Sequence, residues 1–133
     1  IAKEGAGLMP LRGQNNVQGA CDMGCLPYYD PDYEKPLVEG LKTPDIIKAI
    51  DEEEIKALFV MGEDIAHVHS NQNQIRKALK KPELLIVNEL FDNEITAFAD
   101  IIFGVKSAYE KEGVYINAER RLHLSQSLVE NEL

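Results

Sequence analysis

The sequence predicts an α/β domain built on a Rossmann-like parallel sheet, and two observations carry this prediction. Short apolar runs alternate with helix-like segments between residues 43 and 104, and each run ends in a glycine or a polar residue. Alternating strands and helices at these spacings are typical of parallel strands joined by right-handed crossovers. The chain has 133 residues, 44% of them hydrophobic and 28% charged, which is enough to enclose the core of one domain.

The helix and strand signals begin after a long irregular stretch, residues 1–42. This stretch is rich in glycine, proline, asparagine and tyrosine and lacks sustained periodicity, although residues 16–23 have the spacing of one short helix. We therefore divide the chain into an irregular active-site or crossing segment, 1–42, and an α/β cofactor-binding domain, 43–133.

The first half of the α/β domain opens with a helix start. Thr43-Pro44 supplies a hydroxyl cap and a proline at the first helical position. The unbroken apolar run at 57–60 predicts a buried parallel strand. Ser70 then predicts the cap of a second helix, which ends at Pro82 after a basic last turn that suits the helix dipole.

The second half of the domain adds two strands, a short helix and two less regular extended pieces. Each is read from an apolar run and the turn residues that bound it. The predicted bounds are 84–87 and 100–103 for the strands, 93–98 for the short helix between them, 114–116 for the first extended piece and the surroundings of Leu122 and Leu124 for a last strand or docked tail.

Charge and hydropathy exclude two classes of partner. The formal net charge of −9 disfavours nucleic acids and anionic membranes, since both carry the same sign of charge. No apolar run approaches the roughly 20 residues that span a bilayer, so we expect no membrane contact by this segment. The amino end has no signal-peptide pattern, and we expect a cytoplasmic location. The chain begins with isoleucine rather than methionine, which predicts a slice of a longer protein.

Polar residues follow the predicted strands at their carboxyl ends, at positions 62–64 and 88–89. Ligands bind outside this edge of open α/β sheets, where acids accept hydrogen bonds from a ribose or from the N–H groups of a base. Alternatively, these residues only cap the helices that follow. Both interpretations remain open. The glycine-rich dinucleotide fingerprint is absent, because the glycines at 5 and 7 follow no strand, so a conventional nicotinamide domain is not predicted.

Two further polar clusters are candidate sites. Arg12 lies beside three amides and a glycine hinge, and an arginine of this kind can bind a carboxylate with two parallel hydrogen bonds. The alternative is a polar surface loop. The second cluster would by itself pass for a charged surface loop. It comprises Glu110, Glu112, Asn117, Glu119, Arg120 and Arg121 around Gly113.

Cysteines and histidines predict no metal ligand. Cys21 and Cys25 would share one face of a helix, but structural zinc needs four ligands and the sequence has no second pair, so buried thiol packing is favoured. His67 and His69 are two residues apart, diverge around a helix axis and chelate poorly.

Several of these segments, taken together, resemble one known family. The run PLRGQNNVQGACDMG at 10–24 is similar, nearly residue for residue, to a segment of the catalytic (alpha or large) subunits of molybdopterin-dependent formate dehydrogenases. The likeness continues at 61–64, at 91–102 and in EGVYINAERR at 112–121, and these segments are shared by the wider molybdopterin oxidoreductase family. Order and spacing match over most of the chain.

The resemblance implies an internal fragment of such a subunit, on a three-layer αβα domain. It implies part of the site for a bis-molybdopterin guanine dinucleotide cofactor with molybdenum or tungsten. Arg12 would hold formate or help it react at the metal, with Gln14 beside it as a second catalytic residue. The residues implied as cofactor contacts are Gly13, Gly62, Glu63, Asp64, Asn88, Glu89, Glu112, Asn117, Glu119 and Arg120.

The same resemblance implies that the parent subunit oxidises formate to carbon dioxide. Electrons would pass to iron–sulfur clusters and then to an electron-transfer subunit or another acceptor. The metal-ligating cysteine or selenocysteine and the cysteines of the 4Fe-4S cluster have no match in this chain, so we expect the fragment alone to be inactive. Two alternatives remain: a family member without formate chemistry, such as the large subunit of respiratory NADH dehydrogenase, or an α/β interaction module that binds no cofactor. Arg12 and Gln14 favour formate over the first alternative.

Overall fold

The structure, a computed structural model, describes residues 3, 4, 7 and 11–129. Pro10, where the family resemblance begins, and the glycine at position 5 lie outside these residues. Contacts divide the chain into two compact units. The sheet unit is Leu41–Ser107, and the hairpin unit comprises the described residues of Ile1–Gly40 and Ala108–Leu133. Residues 108–129 thus pack with the first segment of the chain. The functional division into an active-site segment, 1–42, and a cofactor-binding domain, 43–133, stays a prediction.

The elements alternate between helix and strand through the sheet unit, as predicted. α3 was not predicted, because a four-residue helix is too short to show a helical period. In chain order the elements are α1 (Val17–Asp22), a 3₁₀ turn (Pro31–Tyr33), α2 (Thr43–Asp51), β1 (Ala57–Met61), α3 (Ile65–Val68), α4 (Gln72–Ala78), β2 (Leu84–Glu89), a second 3₁₀ turn (Ile95–Phe98), β3 (Ile101–Gly104), β4 (Gly113–Ile116) and β5 (Leu122–Ser125).

The frame of the sheet unit is a parallel sheet of three strands in the order β1-β2-β3. This confirms the predicted α/β class and the parallel direction of the strands. Paired residues of parallel strands point to the same face, so the register defines both faces of the sheet. Met61 lies opposite Asn88, and Glu89 lies opposite Gly104.

Helices cover one face of this sheet and leave the other exposed. Val60 of β1 is 8% exposed, whereas its neighbours Phe59 and Met61 are 52% and 67% exposed. The prediction of a strand buried on both faces is therefore wrong for β1, and the helical layer implied for the second face stays a prediction. The core on the covered face comprises Ile47, Ile50, Val60, Ile65, Ala66, Ile75, Ala78, Leu79, Leu85, Val87 and Ile95.

The predicted helix caps are off by one residue. The Lys42 carbonyl already accepts the N–H of Ile46 at 2.9 Å, so Lys42 is the cap residue of α2 and Thr43 is its first helical residue. Asn71, not Ser70, precedes α4. Neither helix has a side-chain hydrogen bond at its cap, so neither depends on a hydroxyl there.

The hairpin unit joins α1 to an antiparallel pair, β4 and β5. The Asn16 side chain makes this connection: its Nδ2 donates to the Val114 carbonyl at 3.2 Å, and its Oδ1 accepts the N–H of Ile116 at 3.0 Å. Gly19 leaves room for that amide, because a Cβ at position 19 would lie 2.3 Å from Asn16 Oδ1. The helix predicted at 16–23 and the last strand near Leu122 are confirmed.

Candidate functional site

The loop before α1 and the end of β4 enclose a cavity of about 280 Å³ in the hairpin unit. The cavity brings both predicted catalytic residues, Arg12 and Gln14, together with Asn117 from the polar cluster that follows β4. In the sequence these residues belong to two separate polar clusters. The described residues that line the cavity are Leu11, Arg12, Gln14, Asn15, Asn16, Val17, Gln18, Ile116, Asn117 and Ala118.

Arg12 lines this cavity and makes one side-chain hydrogen bond with the described residues. Its Nη2 donates to Gln18 Oε1 at 3.3 Å, and no carboxylate of the described residues lies within ion-pairing distance of its guanidinium. A guanidinium carries five N–H donors in a rigid fork, so several remain for a ligand. The side chain is therefore suited to bind a small anion.

Gln14 and Gly13 are both exposed beside this arginine. Gln14 forms no hydrogen bond with any residue that the structure describes, so its amide is available to a ligand. A Cβ at Gly13 would meet nothing within 4 Å, so the backbone there borders open space. The roles predicted for both residues stay predictions.

Asn117 shapes the turn between β4 and β5. Its Oδ1 accepts the backbone N–H groups of Glu119 and Arg121, at 3.0 and 2.9 Å. Arg120 has the left-handed φ of 60° in this turn, and its guanidinium lies 3.9 Å from Asp22 Oδ1. The described contacts thus give Asn117 a structural role, and its predicted cofactor contact stays a prediction.

Two of the three acids of this cluster, Glu112 and Glu119, differ in their surroundings. Glu119 forms an ion pair with Arg121 at 3.0 Å, and both side chains are exposed. Glu112 is exposed and pairs with none of the described residues. Neither side chain lines the cavity around Arg12.

In the sheet unit, the polar residues that follow β1 and those that end β2 lie along one edge, as predicted. The N–H of Gly62 donates to the Asn88 carbonyl at 2.8 Å, which ties the two strand ends together. Gly62 has a φ of +63°, a conformation that other residues adopt at a cost, so the chain can turn sharply there. Glu89 accepts the N–H of Leu90 through its carboxylate at 2.8 Å.

Three acceptors at this edge have no partner among the described residues. The side-chain oxygen Oδ1 of Asn88 is buried and accepts no hydrogen bond, and the same is true of Asn93 Oδ1. The Glu63 carboxylate, half-buried, forms neither a hydrogen bond nor an ion pair with a described residue. A buried acceptor without a donor is costly, so this edge has unused capacity for a ligand's N–H groups.

Asp64, by contrast, is engaged within the protein. Its two carboxylate oxygens accept the backbone N–H groups of Glu94 and Ile95, at 3.2 and 3.1 Å. These are the unpaired donors at the start of the 3₁₀ turn that follows β2. Within the chain, the Asp64 side chain therefore caps the 3₁₀ turn, as the capping alternative predicts. Its predicted cofactor contact stays a prediction.

An ion pair between Arg76 and Glu94 supports the same turn. Arg76 Nη2 lies 3.0 Å from Glu94 Oε2, and its Nε donates to the other oxygen. The hydrogen bond from Arg76 holds the pKa of Glu94 below its ordinary value, against the opposing effect of burial, and the same bond raises the pKa of Arg76. The two residues are 18 apart, and no sequence pattern could have paired them.

The described residues include no group of three or more histidine, cysteine or acidic side chains that could hold a metal ion. Cys21 is buried, which confirms the predicted thiol packing, but Cys25 is exposed, and the prediction is wrong there because Cys25 lies beyond the end of α1. Among the described helices, none has the length and apolar character needed to cross a membrane.

Comparison with known proteins identifies the family. The family model for molybdopterin oxidoreductase matches residues 1–132. The F420-dependent formate dehydrogenase subunit alpha of Methanocaldococcus jannaschii is 40% identical over 97% of this chain and 21% of its own length. For F420-dependent formate dehydrogenase 1 subunit alpha of Methanococcus maripaludis the identity is 38%, over 98% of this chain and 22% of the relative. For formate dehydrogenase H of Escherichia coli it is 34%, over 90% and 19%.

The chain thus spans about a fifth of the length of these curated relatives, between 19% and 22%. The alignments cover nearly all of the chain, including the loop that carries Arg12 and the strand-end edge of the sheet unit. The similarity therefore extends over both units. The chain belongs to the molybdopterin oxidoreductase family and corresponds to part of a larger subunit.

Proposed function

We propose that this chain is the part of a formate dehydrogenase large subunit that binds formate and one portion of its molybdopterin cofactor. One observation carries the proposal: Arg12, without a carboxylate partner among the described residues, shares a cavity with Gln14 in a chain of this family. Its relatives are named as formate dehydrogenases.

Formate suits this cavity because it is the smallest carboxylate. The planar guanidinium of Arg12 can donate two parallel N–H···O bonds to its oxygens, and the amide of Gln14 can donate a third. Such a grip leaves the formate C–H bond directed away from the arginine. A cavity of about 280 Å³ is much larger than formate, so the remaining space is available to the reactive part of the cofactor.

The sheet unit supplies acceptors that fit a guanine base. Guanine presents an N1–H and an exocyclic amine, and the Asn88 Oδ1 and the Glu63 carboxylate are acceptors without partners among the described residues. We therefore assign the guanine nucleotide of a bis-molybdopterin guanine dinucleotide to this edge, with the backbone of Gly62 beside it. The other residues proposed to contact the cofactor are Gly13, Asp64, Glu89, Glu112, Asn117, Glu119 and Arg120.

The reaction is oxidation of formate to carbon dioxide, with release of one proton and two electrons. When bound, the molybdenum or tungsten centre of the cofactor supplies the redox chemistry that accepts these electrons. Within this chain, Arg12 binds and orients the carboxylate, and Gln14 fixes it from the side. In the longer subunit, 4Fe-4S clusters would carry these electrons to an acceptor.

The formate site is tested by activity of the complete, cofactor-loaded protein. Wild type should reduce an artificial electron acceptor when formate is added, and Arg12→Ala should raise the KM for formate at least about tenfold through loss of a charged hydrogen-bond donor. Arg121→Ala is the matched control, because its guanidinium is exposed and pairs only with Glu119 among the described residues. No formate-dependent reduction by wild type would refute the proposal.

The nucleotide site is tested by cofactor content. Glu63→Gln should lower the amount of guanine nucleotide that is released when the purified protein is denatured. Glu83→Gln should not, because Glu83 pairs with Lys56 at 2.8 Å just before β2, at the opposite edge of the sheet. Equal nucleotide content in both variants would contradict the assignment.

A further inference from the structure

A buried glutamine connects Arg12 to a carboxylate inside the hairpin unit. Gln18 lies on α1 and is 9% exposed. Its Oε1 accepts from Arg12 Nη2 at 3.3 Å, and its Nε2 donates to Asp22 Oδ1 at 2.7 Å and to the Tyr33 hydroxyl oxygen at 3.0 Å. Both ends of the Gln18 amide are thus hydrogen-bonded: the oxygen to a guanidinium, and the nitrogen to a carboxylate and a phenol hydroxyl.

The orientation of that amide is dictated by Asp22. An ionised carboxylate only accepts hydrogen bonds, so the NH₂ end of Gln18 must face it. The Tyr33 hydroxyl donates its single proton to Asp22 Oδ1 at 2.7 Å, which leaves its oxygen to accept the second proton of that NH₂. The carbonyl end of Gln18 is therefore directed at Arg12, and a flipped amide would place two donors against each other.

The carboxylate of Asp22 is well suited to act as this fixed acceptor. The hydrogen bond from Tyr33 lowers its pKa most, and the hydrogen bond from Gln18 and the positive charges of Arg120 and Arg12 lower it further, against the effect of burial. Asp22 stays ionised across the neutral range, so the direction of the amide does not change with pH there.

We propose that Gln18 is a positioning residue that fixes Arg12 for a small carboxylate, and that Asp22 sets the direction in which Gln18 acts. This inference rests on the proposed formate site. An arginine side chain has many rotamers, and ordering it on binding weakens affinity; a hydrogen bond made before the ligand arrives removes part of that cost. Gln18 itself does not touch the ligand in this account.

The test uses three variants of the complete, cofactor-loaded enzyme: Asp22→Leu, Gln18→Met and Tyr33→Phe. Leucine at position 22 removes the oxygen that accepts from both Gln18 and Tyr33. Two quantities are measured, the KM for formate and the inhibition constant of acetate, a carboxylate that lacks the reactive C–H bond. Asp22→Leu and Gln18→Met should raise both by about tenfold, the effect of losing one hydrogen bond to a charged group. Tyr33→Phe should raise them less than about threefold, because Asp22 still faces the amide nitrogen.

The separate values of KM and kcat distinguish positioning from general destabilisation. Loss of the Arg12 orientation weakens formate binding, so it raises KM while kcat is retained. A smaller fraction of active enzyme would lower kcat and leave KM unchanged. Asp22→Leu and Gln18→Met should therefore keep kcat within about threefold of wild type.

The control variant removes the same type of contact elsewhere in the chain. Gln72 Oε1 accepts from Arg76 Nη2 at 3.2 Å in the sheet unit, so Gln72→Met removes an equivalent hydrogen bond away from the cavity. It should leave KM and the acetate constant unchanged. Cofactor content and melting temperature are recorded for every variant, and kinetic constants are compared among variants that retain both.

The outcomes distinguish a failure of the positioning role of Gln18 from a failure of the proposed formate site. If Arg12→Ala leaves both constants unchanged, the formate site itself is wrong. If Arg12→Ala raises them but Gln18→Met and Asp22→Leu do not, the positioning role is overturned and the formate site stands. A lower kcat with an unchanged KM in Gln18→Met and Asp22→Leu would also overturn it.

Discussion

Substitution of Asp64, at the strand-end edge, tests whether its carboxylate has a structural role there. Its two oxygens accept the backbone N–H groups of Glu94 and Ile95 at the start of the 3₁₀ turn Ile95–Phe98. Losing a capping carboxylate costs about 1–2 kcal/mol, and about 1.4 kcal/mol corresponds to a tenfold change in an opening equilibrium. We expect Asp64→Ala to accelerate amide hydrogen exchange at residues 94 and 95 by about tenfold.

Hydrogen exchange with mass spectrometry on a peptide covering 92–98 measures this effect. Glu63→Ala is the matched control, because the neighbouring carboxylate has no partner among the described residues and should leave exchange in this peptide unchanged. Unchanged exchange in Asp64→Ala, or an equal acceleration in Glu63→Ala, would refute the assigned capping role.

Three further perturbations follow from the contacts. Gly19→Ala should destabilise the hairpin unit by about 1–2 kcal/mol in urea titration, because the new Cβ displaces the Asn16 amide from its two hydrogen bonds to β4. Ile50→Ala should cost about 2–5 kcal/mol by the same method, since Ile50 is fully buried. Because Arg76 lowers the pKa of Glu94, their pairing stabilises the fold fully above the ordinary pKa of 4.5, and this stabilisation is lost as pH falls through the lower pKa of the folded state. Below pH 4.5 the melting temperature should therefore fall more steeply in wild type than in Glu94→Gln. Parallel curves of melting temperature against pH would contradict this.

The parallel sheet could be predicted because each of its strands is recognised from a few consecutive residues. Apolar runs of three to five residues, at 57–61, 84–87 and 101–103, are bounded by turn residues and indicate strands. Their alternation with helices then predicts the parallel direction. The same topology places the ends of successive strands at one edge, so the proximity of Gly62 and Asn88 followed without any knowledge of their side-chain contacts.

Contacts between distant residues could not be predicted in this way. Asp64 reaches donors about 30 residues away, and the Asn16 amide pairs with backbone about 100 residues away. Neither pairing leaves a periodic signal in the sequence. The burial of β1 was overestimated for a related reason: a run such as Ala57–Met61 is equally apolar on both faces, and only the surrounding elements determine which face is covered.

The decisive measurement is the steady-state kinetics of Arg12→Lys in the complete enzyme, with cofactor content shown to equal that of wild type. Lysine keeps the positive charge but cannot donate two parallel hydrogen bonds to a carboxylate. If Arg12 grips formate through its planar fork, kcat/KM for formate should fall at least about tenfold, mainly through KM. A KM unchanged from wild type would contradict the assignment of Arg12 as the residue that binds formate.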